Sequence, residues 1–175
     1  MSYIEYVVKV YSDGSKYWCL NGKLHRGDGP AVELSSGHKV WYLNGSCHRE
    51  DGPAVEYVNG DKEWYLNGNR HREDGPAIEY ADGTKEWWIN GKYHRKDGPA
   101  VEYPDGDKYW YMNGRLHRED GPAMAMESSN GVKYWYLNGV EYTEEEFNKK
   151  MNSCDGKEVE IDGKTYILSL KELPQ

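Results

Sequence analysis

The sequence is poor in the residues that usually build a core: among 175 residues there is one Phe, and Leu, Ile and Val together supply only 26. So low an aliphatic content signals disorder unless something else supplies apolar area. Seven Trp and sixteen Tyr do so, and they favour an aromatic-rich fold over a disordered chain. No apolar run approaches the ~20 residues needed to span a bilayer, which excludes a membrane helix. Met1 to Val10 has neither a basic start nor a small-residue cleavage site, so a soluble, unexported protein is expected. Basic charge is in deficit, with 22 Lys and Arg against 30 Asp and Glu and a net charge of −8. Proteins that grip phosphate backbones present dense Lys and Arg, so nucleic acid is not an expected partner. Cysteine is scarce as well. Cys19, Cys47 and Cys154 form no CxxC pair, which suits a reducing, cytoplasmic compartment better than a disulfide framework.

What is present is a repeat. The segment WYLNG followed by HRxDGPA recurs, and His25, His48, His71, His94 and His117 fall 23 residues apart. His38 is off-register, a half-repeat from Val8 to Gly14 precedes the first full unit, and no HRxDGPA follows Gly139. Each unit carries two turn signals, as at Asn67-Gly68 and Asp82-Gly83, the first suited to the positive φ of a type I′ turn. Two reversals predict two strands per unit, Lys62 to Leu66 and Ala77 to Tyr80, with a kink at HREDGP, where Pro76 cannot donate a ladder hydrogen bond. Gly and Pro recur too often for helix. The expected fold is an all-β repeat, an elongated and twisted antiparallel hairpin array advancing roughly 10 Å per unit and about 50 Å in all. Its core is expected to be the column of Trp18, Trp41, Trp64, Trp87, Trp110 and Trp135, flanked by Leu20, Leu43, Leu66, Ile89, Met112 and Leu137.

Residues 1–140 thus read as the repeat region and 141–175 as a capping block. A helix is predicted from Thr143 to about Asn152, with Thr143 and Glu146 as a capping box and Tyr142 stapled to Phe147. A hairpin from Lys157 to Leu170 about Asp162-Gly163 follows. The last full unit departs from Val-Glu-Tyr at Met124-Ala125-Met126, a feature read as the seat of the cap, with a partner site as the alternative.

The pattern W-x-x-N-G-K-x-H-x-x-D-G followed by Tyr-x-Asp-Gly, at Trp87 to His94 and Tyr103 to Gly106, resembles MORN repeats from Gly14 to Gly139. It departs where MORN repeats carry His-Gly-x-Gly and this chain has His-Arg-x-Asp-Gly-Pro-Ala. The HRxDGPA form looks like repeat proteins of bacteriophages and large viruses. The resemblance implies a hairpin array acting as a scaffold or protein-interaction surface, with lipid binding proposed for some members of the family and no chemistry of its own.

The residues themselves point the same way. His and Arg of the motif, namely His25, Arg26, His48, Arg49, His71, Arg72, His94, Arg95, His117 and Arg118, recur in five copies, whereas catalysis needs one preorganised site. They are expected to serve the repeat, Arg binding carboxylate and His a kinked backbone, with ligand binding as their alternative role. No catalytic residue, metal site or cofactor is expected: one unit offers too few metal ligands, and Gly163-Lys164-Thr165 lacks the earlier glycine of a P-loop. The candidate partner-binding residues are the second aromatic column, Tyr42, Tyr65, Trp88, Tyr111 and Tyr136, where the first unit has Cys19. Strand alternation puts this column opposite the Trp column. Exposed, it is the composition of a protein interface. The competing readings are a minor core under the terminal helix and a groove in which Arg and Tyr clamp a small anionic ligand or nucleotide signal. The leading expectation is a non-enzymatic interaction module or scaffold, a viral protein in host cytoplasm that binds and inhibits a host protein. Sequestration of an anionic signal comes second, and an enzyme with its site in the C-terminal block third.

Overall fold

The computed structural model describes residues 6–118, 126–127, 131, 133–152, 158–161 and 164–167. The chain is an array of antiparallel β-hairpins with one short helix near its C-terminus and a terminal hairpin. A single sheet of fourteen strands runs through it, beginning at Tyr6–Val10. Each unit adds two strands to this sheet, as at Ile78–Glu79 and Lys85–Glu86. Glu79 lies opposite Lys62 on one side and Lys85 on the other, so a Lys-Glu ladder crosses the sheet with opposite charges paired at each step.

The inner units have four short strands where the sequence predicts two, because a stretch such as Lys85 to Ile89 is broken at its tryptophan, whereas Lys16–Leu20 and Lys133–Leu137 run unbroken. Lys85–Glu86 stays in the long sheet, while Trp88–Ile89 pairs with Lys92–Tyr93 in a separate hairpin. Trp87 is the hinge: its N–H donates to Ala100 of the same unit at 2.8 Å, and its carbonyl accepts from His94 at 3.0 Å. Neighbouring hairpins are themselves bonded, with Gly91 N–H to Arg70 O at 2.9 Å and Arg72 N–H to Trp88 O at 3.1 Å. The hairpins therefore form a second row beside the long sheet.

Both expected turns are present, with different geometry. Asn90 and Gly91 adopt φ of 50° and 73°, the two positive values of a type I′ turn, and the same pair recurs at the Asn-Gly that begins at Asn21, Asn44, Asn67, Asn113 and Asn138. The Tyr80-to-Gly83 turn closes through Gly83 N–H to Tyr80 O and Tyr80 N–H to Thr84 O, both 3.0 Å, with Gly83 at φ 97°. That is a turn followed by a glycine bulge, which only a residue tolerant of positive φ completes.

The core is not the Trp column. Its fully buried members are Ala31, Ala54, Ala77 and Ala100, backed by Val32, Val55, Ile78 and Val101. Trp18, Trp41, Trp64, Trp87 and Trp135 are only half-buried, and Trp110 alone in the column is buried. A sheet one layer thick has no second layer over most of these indoles, and the rings of Trp18, Trp41, Trp64 and Trp87 lie instead under arginine side chains. Small Ala allows the chain to pass close beneath them.

At the C-terminal end the helix spans Glu144–Asn152. Thr143 Oγ1 accepts from Glu146 N–H at 3.3 Å, and the Glu146 carboxylate accepts from Thr143 N–H at 2.9 Å, the reciprocal capping box. Those bonds hold the Glu146 carboxyl below the usual range. Phe147, 1 % exposed, packs with Leu137, Trp135, Tyr142 and Met151, so the helix covers the last hairpin, Lys133–Leu137 with Val140–Tyr142. The terminal hairpin pairs Glu158–Ile161 with Lys164–Ile167. Met124, Ala125, Cys154 and the Asp162-Gly163 turn lie outside the described residues.

Candidate functional site

The HRxDGPA loop performs closely similar work in the four units whose loops lie among the described residues. Arg72 lies 4.1 Å over the Trp64 ring and donates to Asp74 at 2.9 Å, to the Pro76 carbonyl at 3.1 Å and to Glu79 at 3.0 Å. Arg26, Arg49 and Arg95 repeat the stacking on Trp and the bonds to proline and glutamate, and Arg118 stacks on Trp110 at 4.3 Å. The arginine bond holds the Asp51 and Asp74 carboxyls below their ordinary range. Planar guanidinium with several fixed donors suits this joint role of lid and clamp.

Gly75 belongs to the same device. Its φ is not positive, but a Cβ there would lie 2.9 Å from the Arg72 guanidinium carbon, so any side chain at this position would push the guanidinium out of its place. Histidine serves the next unit. Nδ1 of His25, His48, His71 and His94 sits within 3.0 to 3.3 Å of the backbone nitrogen and the side-chain oxygen of the following unit's turn asparagine, and His117 receives the Asn138 N–H at 3.0 Å.

The other face is where the units differ. Glu63 and Glu86 are buried at positions held by Tyr17, Val40 and Tyr109 elsewhere. Glu63 accepts from Tyr65 at 2.7 Å, Tyr57 at 3.1 Å and Arg70 at 3.3 Å. Glu86 accepts from the Trp88 indole at 2.9 Å and from Tyr93. Arg70 also donates to the Tyr65 hydroxyl at 3.1 Å and lies 5.2 Å from the Trp88 ring. Trp88 meets Tyr93 at a centroid separation of 3.8 Å, and Tyr93 stacks on Tyr111 at 5.0 Å. Arg70, Trp88, Tyr93 and Tyr111 therefore form one continuous stack across three hairpins.

Burial, with the bond to Glu63, pushes the Tyr65 phenol up to about 12. Burial, with the nearby Glu86 charge, pushes Tyr93 up as well. Tyr42, Tyr65, Trp88, Tyr111 and Tyr136 are all half-buried, neither wet nor sealed, and Tyr136 donates to Glu141 at 2.9 Å. The structure brings the middle three together and leaves Tyr42 and Tyr136 out of the stack. Sequence reasoning missed Glu63, Arg70, Glu86 and Tyr93. Their signal was available as departures from the repeat: the column of Arg70 and Tyr93 reads Leu24, Cys47 and Leu116 in the other units.

Among the described residues no group of three or more His, Cys, Asp or Glu is placed to hold a metal, and no helix is long and apolar enough to cross a membrane. No family model matches the chain, and no curated protein matches it.

Proposed function

We propose that the chain is a non-enzymatic protein-interaction module of MORN-like type, docking its partner on the hairpin face centred on Arg70, Trp88, Tyr93 and Tyr111. The observation that supports this reading is the stack itself. Residues repeated in every unit hold the array together, whereas this run appears only in its middle and is not needed to build a hairpin, since Leu serves at the same place in Leu24 and Leu116. Arg, Trp and Tyr clustered centrally, with polar groups already oriented by Glu63 and Glu86, are the composition and preorganisation of a binding hot spot. In the viral reading the module works in host cytoplasm and inhibits the host factor it occupies. An anionic ligand fits this face less well: Arg70 is engaged by Glu63, and a second carboxylate lies beside it.

Affinity capture from host lysate with the whole chain and with Arg70→Leu and Tyr93→Leu tests the proposal. Each variant installs the residue that neighbouring units tolerate, so the array should persist. A protein retained by the parent and lost with both variants supports the reading. Equal recovery with all three, or recovery of a small molecule alone, overturns it.

A further inference from the structure

The two ends of the long sheet are different in kind, and each lacks what the other offers. Inside the array a Val-Glu type strand always lies between two Lys-x-Trp type strands, as Ile78–Glu79 lies between Lys62–Glu63 and Lys85–Glu86. Tyr6–Val10 occupies the place of a Val-Glu strand: Lys9 faces Tyr17 from one side as Val32 faces it from the other. Yet among the described residues it pairs on one side only. At the far end Lys133 and Tyr134 pair with Glu127 and Met126 on their inner side, while the outer partner, Val140–Tyr142, begins only at Trp135. The helix covers the face of this hairpin, and among the described residues no strand lies on the outer flank of Lys133 and Tyr134.

The backbone groups at both ends point outward. Tyr11 N–H donates inward to Ser15, so by strand alternation Tyr6, Val8 and Val10 present their N–H and C=O to the open side. In the middle units Trp87 N–H bonds forward to Ala100 and Glu86 O bonds back to Ala77, which places the Lys133 backbone on the outer side by the same alternation. The side chains beside the first edge are apolar and exposed, Tyr6 by 50 %, Val8 by 45 % and Val10 by 66 %. An open edge of this type is a template for another chain.

We infer that a second copy of this chain is the occupant, with Tyr6–Val10 of one molecule pairing antiparallel to Lys133 and Tyr134 of the next. Val10 then faces Lys133 and Lys9 faces Tyr134, which reproduces the two-residue register of every internal boundary. Charge selects this pairing over its alternatives. Two Tyr6–Val10 strands joined about Val8 bring one Lys9 within the roughly 7–8 Å diagonal of the other, and two tails joined together do the same with Lys133. Head-to-tail pairing opposes no like charges. It is also heterologous and does not close, so assembly continues with concentration.

Light scattering coupled to size-exclusion chromatography, run on the full chain over a concentration series, should give a mass that rises without a plateau. Val8→Pro removes an outward N–H at the head and Lys133→Pro one at the tail, changes that an edge position tolerates. Each variant alone should be monomeric, and their equimolar mixture should stop at a 1:1 dimer. A parent that stays monomeric at all concentrations, or Lys133→Pro alone dimerising, overturns the inference. Val10→Glu gives a second line that does not depend on proline: it faces Lys16 within the molecule and Lys133 across the junction, so assembly should strengthen roughly 2- to 5-fold, and adding Lys133→Gln should remove the gain. Val10→Glu without effect, or a gain that survives the second change, counts against the pairing.

Discussion

His71 belongs to one unit and holds the turn of the next: its Nδ1 lies 3.2 Å from the Asn90 backbone nitrogen and 3.0 Å from the Asn90 side-chain oxygen. Asn90 is the residue at φ 50°, so the histidine grips the position where the backbone is least at ease. Loss of the imidazole leaves an N–H unmatched and a turn unsupported. Asn90 is exposed, so water takes up part of the loss, and His71→Ala should lower stability by about 0.5–1.5 kcal/mol in urea unfolding. Because the bond crosses a unit boundary, the denaturant slope should fall too, as neighbouring units unfold less cooperatively. Unchanged stability with lost partner binding would instead assign these histidines to recognition.

The guanidinium of Arg72 supplies a sharper test, since it stacks on Trp64 and bonds Glu79 at 3.0 Å in one conformation. Arg72→Lys keeps the charge and loses the fork and the flat lid, so about 1–2 kcal/mol of destabilisation is expected. Gly75→Ala places a Cβ 2.9 Å from the same guanidinium and should displace it. The two changes injure one device, so the double variant should cost clearly less than the two single losses added together. Strict additivity in chemical denaturation would show that Gly75 is needed for another reason.

These residues also mark how far the sequence could be read. The period, the two turns of each unit, the helix with its Thr143–Glu146 box and the strands of the terminal hairpin were legible because each rests on a local rule of turn chemistry, capping or alternation. The break at Trp87 was not, because Lys85 to Ile89 alternates like one strand and nothing local says that its two halves join different rows. Burial was misassigned for a related reason. Large Trp looks like core, yet a single sheet layer gives full burial to Ala77 and leaves Trp64 to be roofed by Arg72. In the candidate site the aromatic column was visible, whereas Glu63, Arg70, Glu86 and Tyr93 emerge only when units are compared for what they do not share.

Alkaline pH should reveal the Tyr65–Glu63 contact. The Tyr65 phenol is pushed up to about 12 by burial and by its bond to Glu63, against about 10 in an unfolded chain. Below about pH 10 both states hold the proton and the contribution is fully present; above it the unfolded chain releases the proton first, and stability falls as pH climbs towards about 12. Urea midpoints measured at about pH 9 and about pH 11.5 should therefore drop more for the parent than for Tyr65→Phe, which has no proton to release. Equal losses would place the alkaline sensitivity in the other half-buried tyrosines, Tyr93 and Tyr111 among them.

Cys47 offers an independent probe of how firmly the second hairpin is held. Burial pushes its thiol up to about 12, and the sulfur lies 3.9 Å from the Ala54 carbonyl beneath the hairpin row. Thiolate, not thiol, is the nucleophile, so in the folded array Cys47 should alkylate orders of magnitude more slowly at neutral pH than an unperturbed cysteine, with reaction following transient opening of the hairpin. Iodoacetamide labelling read by peptide mapping distinguishes it from the other cysteines. His71→Ala supplies the internal control: if unit boundaries hold the hairpins down, weakening the next boundary should accelerate Cys47 labelling modestly, and His48→Ala, whose Nδ1 contacts the Asn67 turn that follows Cys47's own hairpin, should accelerate it more. The same rate in both variants and the parent would show that each hairpin opens on its own, and would remove the argument that histidine couples one unit to the next.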